Sequence, residues 1–440
     1  MLDKMQERAV KCKRKNILVL AGAGCGKTYT IVERVKYLIN NLNVDASKIL
    51  CISFTNDAVN KLKRDINNKD VEVLTFHKLA LNIIGRRKEV LSEDMLYDVI
   101  MDTFTNDALF GLYKINKDEM YKLIETFINL FKSKNYTLES FYKMINKADD
   151  KDKKLLKEVM KCYLVYETYL NRENIMDFND MINLAINKVN NYKKIYDYII
   201  IDEYQDTSIT KLNLIIKLRK RNNANLFLVG DDFQSIYRFT GSDIKIITKI
   251  RRYFPFIKII KLKKTYRNSN ELVKITGKFI MKNPNQHRKK LVSDINIDNP
   301  VEIVYYNDLN KAMDMVIKED KLDDIFILSR NNKDLDDIKI SNINYKKMSI
   351  HKSKGLQSKY VFVININNNL NGFPNKYKDH KILKYVNNYK EYYPYEEERR
   401  LFYVALTRCT SKVYLFVPIN NESIFIKEIK KYKNIYVRRK

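Results

Sequence analysis

The 440-residue chain contains no tryptophan, and only 10 glycines, 6 prolines, 5 cysteines and 4 histidines. So little glycine and proline excludes collagen-like and linker-type low-complexity chains. The cysteines (Cys12, Cys25, Cys51, Cys162, Cys409) are odd in number, widely spaced and without a CxxC pair. That pattern excludes a disulfide framework and a zinc ribbon and fits a reducing compartment. His77, His287, His351 and His380 offer no ligand pair at helical spacing, so no structural metal is expected. No apolar run approaches the roughly 18 residues of a membrane span, and the opening MLDKMQERAV lacks the apolar core of a signal peptide. The expectation is a soluble intracellular protein with no membrane partner: cytoplasmic, or nuclear or in a viral factory if the source is eukaryotic or viral.

What is present is core-forming material and positive charge. Hydrophobic residues make up 45% of the chain and aromatics 12%, enough for packed cores, and the length suggests about three structural units. Lys+Arg number 82 against 53 Asp+Glu, a net charge of +29. Such an excess suits a polyanionic partner such as nucleic acid. The competing explanation is coding bias, since Lys, Asn, Ile and Tyr are all abundant.

Short β-branched runs bounded by turn or charged residues occur at 17–20, 49–54, 71–76, 198–201 and 226–229, and again at 259–262, 301–306, 325–328, 360–364 and 413–417. They read as buried strands. Helical periodicity between many of them, as in 28–39 and 56–66, is the alternation of a parallel sheet covered by helices, so two α/β domains are expected. Between 85 and 196 the period changes: Leu96, Val99, Ile100 and Phe104, then Leu123, Phe127, Leu130 and Phe131, recur at three and four spacing. This stretch is either a separate helical domain or a helical insertion, and the strands that resume after it favour insertion. The expected division is 1–84 with 197–250, then 85–196, then 251–440. Residues 367–394, rich in Asn, Lys and Tyr, read as a solvated loop or as a mobile, partner-contacting one.

Ala21-Gly22-Ala23-Gly24-Cys25-Gly26-Lys27-Thr28 follows the apolar run ILVL and precedes a helical pattern, satisfying GxxxxGK[ST] between a strand and a helix. Glycines let backbone amides face phosphate oxygens, the helix start adds its positive end, and Lys27 reaches the β and γ phosphates. Thr28 is expected to ligate Mg²⁺. Cys25 lies where a helix terminus can lower a thiol pKa and invite oxidation; the plainer alternative is an inert small residue. Tyr198-Ile199-Ile200-Ile201-Asp202-Glu203 supplies the two carboxylates such a site needs, Asp202 to hold the metal and Glu203 to act on the attacking water. ATP and Mg²⁺ are the expected ligands.

The strings IDEYQDTS (201–208) and VGDDFQSIYRFTG (229–241), in this order after the phosphate loop, resemble nearly letter for letter the second and third motifs of superfamily 1 helicases of the UvrD/Rep type. Other motifs of that family follow in its order. Residues 2–6 resemble the adenine-reading Q motif, Phe54-Thr55-Asn56 and Thr75-Phe76-His77 the strand-binding motifs, and Asp177-Phe178-Asn179-Asp180 the segment ahead of the second carboxylate strand. Thr265-Tyr266-Arg267-Asn268 resembles motif IV, IHKSKGL (350–356) motif V and EEERRLFYVALTR (396–408) motif VI. The resemblance implies an α/β fold of two RecA-like P-loop domains with parallel sheets, a helical insertion in the first, and ATP in the cleft between them. It implies translocation along single-stranded DNA from 3′ to 5′. By the same carry-over Gln6 contacts adenine, Tyr266 stacks on it, and Tyr29 and Gln357 border the nucleotide. Gln234 senses the γ-phosphate, while Arg267 and Arg408 come from the second domain as arginine fingers, which would make hydrolysis depend on closure. Phe54, Tyr237 and Phe239 match strand-facing positions, Thr55 and Asn56 share the motif of Phe54, and His77 and His351 match positions that contact the strand backbone.

Four departures bear on nucleotide affinity and base preference: Phe239 where Trp is common, Tyr29 where Arg is usual, Gln357 for Glu and Thr240 for Arg. The interval from Arg267 to Met348 is too short for the family's second helical insertion, and the stretch after Arg408 leaves no room for a nuclease domain. The expected activity is that of a compact ATP-dependent DNA helicase, monomeric in isolation. It would act on single strands and single-strand/duplex junctions, with replication or repair proteins as partners. Two alternatives stand beside it: a translocase that strips proteins from DNA and needs a partner to unwind, and a non-catalytic DNA-binding subunit.

Overall fold

The structure, a computed structural model, describes residues 1–85, 93–340, 343–387 and 391–438. Residues 86–92 of the expected insertion and 388–390 of the 367–394 loop lie outside the described residues.

Two six-stranded parallel sheets organise the described chain. The first contains β1 (Asn16–Leu20), β2 (Ile49–Ser53), β3 (Glu72–Thr75), β4 (Tyr198–Ile201), β5 (Asn225–Gly230) and β6 (Lys258–Lys261), in the order β3-β2-β4-β5-β1-β6. The second contains β7 (Val301–Tyr306), β8 (Asp324–Ser329), β9 (Asn344–Ser349), β10 (Ser358–Val363), β11 (Cys409–Pro418) and β12 (Ile435–Arg438), in the order β12-β7-β11-β10-β8-β9. Helices on both faces demand apolar side chains on both, and Ile17, Leu18, Val19 and Leu20 of β1 are all buried.

The run expected at 259–262 to open the second domain is instead the edge strand of the first sheet, with Lys258 opposite Ile17 and Lys261 opposite Leu20. The boundary drawn after 250 therefore falls after β6. A KIIK run pairs equally well with any parallel neighbour, so its side chains do not say which sheet it joins. Helix Phe178–Lys188, expected within the insertion, buries Met181, Ile182, Ala185 and Ile186 in the core of the first sheet. The helices Glu93–Thr103 to Asp150–Arg172 have their own core around Phe127, Phe131, Phe141, Leu155 and Val159, which Ile382, Leu383 and Val386 complete. Residues 281–300, between helix Asn270–Ile280 and β7, hold neither helix nor strand, so no second helical insertion occupies that interval. No described helix is long and apolar enough to cross a membrane.

Parallel pairing sets the carboxyl ends of β4, β5 and β1 side by side, Ile201 against Leu228 and Leu20 against Gly230. Ligands of open α/β sheets gather at such ends.

Candidate active site

The phosphate loop runs from the end of β1 to helix Lys27–Leu42. Gly24 and Gly26 have φ of 72° and 74°, conformations that a side chain resists. A Cβ on Gly24 would lie 2.5 Å from the Arg267 Cβ, and one on Gly26 would lie 2.7 Å from Gln6 Nε2. The first turn of the helix has neither a side-chain cap nor an acidic residue, which leaves its amides free for an anion. Gln6, fixed by a capping box with Asp3, donates from Nε2 to the Cys25 carbonyl at 3.2 Å. Tyr266 is half exposed; its hydroxyl donates to Asp3 Oδ2 at 2.9 Å and its amide to the Gly24 carbonyl at 2.9 Å. Gln6, Tyr266 and the loop thus converge, whereas Thr28 is half-buried and Tyr29 exposed. Burial pushes the Cys25 thiol up to about 12, which works against the thiolate that oxidation requires.

Lys27 Nζ stands 2.7 Å from Glu203 Oε2. Burial works against the ammonium, but the Glu203, Asp202 and Asp231 carboxylates outweigh it and raise its pKa. Glu203 has φ 47° and ψ 40°, a left-handed conformation costly for a residue with a side chain. It brings the carboxylate to Lys27 and to the Gln205 amide, 2.6 Å away. Burial would raise the Glu203 carboxyl, yet the Lys27 and Lys354 cations hold it well below the usual range. Asp202 goes the other way, raised by burial and then by the negative charge of Glu203. Among the described residues the Asp202 carboxylate accepts the Glu203 amide at 2.8 Å and pairs with no cation. A buried acid in that condition suits a divalent ion that brings its own charge, with phosphate and water completing the coordination.

Gln234 donates to Asp231 Oδ2 at 2.6 Å and accepts from Arg408 Nη2 at 3.1 Å. Arg408 follows helix Glu396–Leu406, is 1% exposed and is held by the carbonyls of Val404 and Leu356. Burial, then the charge of Arg267, lowers its pKa to about 9. Arg267 donates from Nε to Gln357 Oε1 at 2.8 Å and from Nη1 to the Thr407 carbonyl at 3.4 Å. It sits on the connector between β6 and helix Asn270–Ile280 and not within the second sheet.

Three residues escaped assignment from sequence. Lys289, 1% exposed at its side chain, pairs with Asp231 and with Asp232 at 2.6 Å, touches the Ala21 carbonyl at 3.3 Å, and lies 3.8 Å from the centre of the Phe233 ring. Lys354 pairs with Asp206 at 2.5 Å and donates to the Gln234 carbonyl at 2.7 Å. Tyr403 accepts from the Ala23 amide at 3.5 Å. Lys354 and Tyr403 lie in matched strings, but nothing marks Lys289 among 82 Lys+Arg.

Tyr237, Phe239 and His351 line an open groove of about 1210 Å³. The Phe239 ring is 5.6 Å from His351 and 6.1 Å from Tyr237, whose hydroxyl donates to the His351 carbonyl at 3.1 Å. Phe54 and His77 belong to a second aromatic cluster: Phe54 is 5.3 Å from Phe76 and His77 is 4.8 Å from Phe178, with Lys211 Nζ 4.9 Å over Phe54. Thr55 caps helix Asn56–Ile66 by accepting the Ala58 amide at 3.2 Å, and exposed Asn56 opens that helix. Burial, then Lys211 for His77 and Arg330 for His351, lowers both imidazoles to about 4, so both are neutral at pH 7.

Residues 2–255 match the family model described as the UvrD/REP helicase N-terminal domain, and residues 339–421 that of the UvrD-like helicase C-terminal domain. The chain is 30% identical to the ATP-dependent DNA helicase Rep of Buchnera aphidicola subsp. Acyrthosiphon pisum (strain APS), over 72% of this chain and 51% of the relative. It is 28% identical to DNA helicase IV of Escherichia coli (strain K12), over 100% of this chain and 71% of the relative. It is 27% identical to a "Probable DNA helicase" of Mycoplasma pneumoniae (strain ATCC 29342 / M129 / Subtype 1), over 96% and 84%. The chain spans about half the length of the Rep relatives it matches.

Proposed function

The chain belongs to the UvrD/Rep helicase family, and from that membership we propose that it is an ATP-dependent 3′ to 5′ DNA helicase that moves along single-stranded DNA. The observation that carries the reading is the convergence of Lys27, Glu203 and Gln234, at the ends of β1, β4 and β5, with Arg267 and Arg408, which reach the site from beyond the first sheet.

Phosphates entering the loop take its free amides and draw Lys27 away from Glu203. The released Glu203 carboxylate then orients the attacking water and accepts its proton. Thr28 and Asp202 would hold Mg²⁺, which supplies charge neutralisation at the phosphate oxygens. Gln6 and Tyr266 hold the base, and Arg408 and Arg267 meet charge that develops on the γ-phosphate. Strand bases stack on Phe239 and Tyr237, where sequence matters little because every base has a π-face. His351, neutral, offers a hydrogen bond and not a charge. Lys354 joins the two sites, since its ammonium binds the Gln234 carbonyl while lying 4.9 Å from the centre of the Tyr237 ring.

The test is ATP hydrolysis with and without single-stranded DNA, together with unwinding of duplexes tailed at the 3′ or the 5′ end. The reading expects DNA-stimulated hydrolysis, unwinding from the 3′ tail alone, and a Lys27→Ala variant that binds DNA without hydrolysing ATP. Undiminished hydrolysis in that variant would overturn the site assignment. Stimulation without unwinding would make the protein a translocase, and no hydrolysis at all a DNA-binding subunit.

A further inference from the structure

The chain between β10 and helix Glu396–Leu406 forms a long loop, and the described part of it does two things. Its first portion walls the groove opposite Phe239 and His351: Asn375, Tyr377, Lys378 and Asp379 all line that cavity. Phe373, just before them, is buried in the core of the second sheet, and the Asn375 amide donates to Glu398 Oε2 at 2.9 Å. Its second portion plugs into the helical insertion. Ile382 and Val386 are fully buried there and Leu383 nearly so. Around them Lys384 pairs with Asp152 at 2.7 Å, Tyr385 donates to the same carboxylate at 3.2 Å, and Lys134 donates to the Val386 carbonyl at 2.6 Å.

The chemistry of that wall suits a single-stranded polyanion. Asp379 and Glu397 are both taken up by Arg238, at 2.5 and 2.6 Å, and Glu398 by Arg330 at 2.9 Å. Lys352 and Lys378 line the same cavity and form no ion pair among the described residues. Glu391, which also lines the cavity, accepts the Glu396 amide, so the unpaired lysines outnumber the unpaired carboxylate two to one, and the exposed rings of Phe239 and Tyr377 add stacking faces.

We propose that residues 375–387 are a clasp that turns the strand groove into a closed ring. Tyr377 and Lys378 contact the strand, and the plug at 382–386 must leave its seat in the helical insertion before a strand without a free end can enter. The proposal rests on the reading of the groove as a single-strand site. Its consequence is topological: a seated clasp lets a linear strand thread in but neither admits nor releases a circle.

The experiment joins Tyr113→Cys and His380→Cys, partly exposed positions whose rings lie 5.1 Å apart, with a short, reducible bismaleimide in a Cys12→Ser background, the other four cysteines being buried. ATP hydrolysis is then followed with linear and with circular single-stranded DNA of one sequence. The cross-linked protein is expected to keep its response to the linear strand and lose its response to the circle, with reduction of the linker restoring the latter. Equal responses to both forms, or loss of both, would overturn the clasp. A protein that responds to neither form before cross-linking would overturn the strand-site reading instead. As a second measurement, Ile382→Asp should unseat the plug and speed dissociation from a long single strand several-fold; an unchanged dissociation rate would also overturn the proposal.

Discussion

Replacing Lys289 by methionine keeps the length of the side chain and its contact with Phe233 but removes the charge. Asp231 and Asp232, whose side chains are 0% exposed, are then left without their cation. Taking one partner from a buried pair costs about 3–5 kcal/mol. The lower end applies here, because Asp231 still accepts from Gln234 and Phe233, and Asp232 from the His287 amide at 2.7 Å. With a urea slope of about 3 kcal/mol/M, the unfolding midpoint should fall by about 1 M. Adding Asp232→Asn should recover part of the loss, because it removes one of the two stranded charges. The assay is urea unfolding, read by tyrosine fluorescence in a chain that has 31 tyrosines and no tryptophan. A midpoint equal to that of the parent would refute the reasoning.

Arg408→Ala should lower kcat for ATP by about 10³–10⁵, the range for an arginine finger, with little change in KM, as measured by phosphate release under saturating DNA. His77 and His351, both lowered to about 4, are neutral in the fold but protonate near 6.5 once unfolded. The unfolded chain thus binds more protons between those values, so stability should fall as pH drops from 6.5 towards 4, and His351→Asn should flatten that slope in unfolding curves.

Strands buried on both faces could be read from the sequence because their apolar runs are continuous, as in ILVL of β1 and YIII of β4. β9 (NYKKMS) and β12 (IYVR) are edge strands that the sequence does not mark: β9 carries exposed Lys346 and Lys347 and no apolar run, and the apolar run of β12 is only three residues long. The stretch 85–196 reads as one helical insertion, yet helix Phe178–Lys188 within it packs on the first sheet, since a 3.6 period says that one face is buried and not against what. The candidate site follows the same division. Lys27, Asp202, Glu203 and Gln234 lie in short strings whose spacing carries the chemistry. Lys289 arrives along an irregular connector whose path only the packing of the two sheets decides, and the wall at 375–379 reads as solvent-facing because it is polar.

Each sheet is made from one unbroken stretch of chain, β1 to β6 before residue 262 and β7 to β12 after residue 300. A ribosome would therefore deliver every strand of the first sheet before any of the second, in keeping with domains that fold as units from the N-terminal side. The helical core does not share this economy. Its helices end at Arg172, yet Ile382, Leu383 and Val386 are needed to cover it. At about 5–20 residues per second the wait is on the order of 10–40 s. Throughout it the apolar seat stands open, and its filling adds an apolar fastening to the ion pairs, such as Lys289 with Asp232 and Lys354 with Asp206, that join the late-made half of the molecule to the early one.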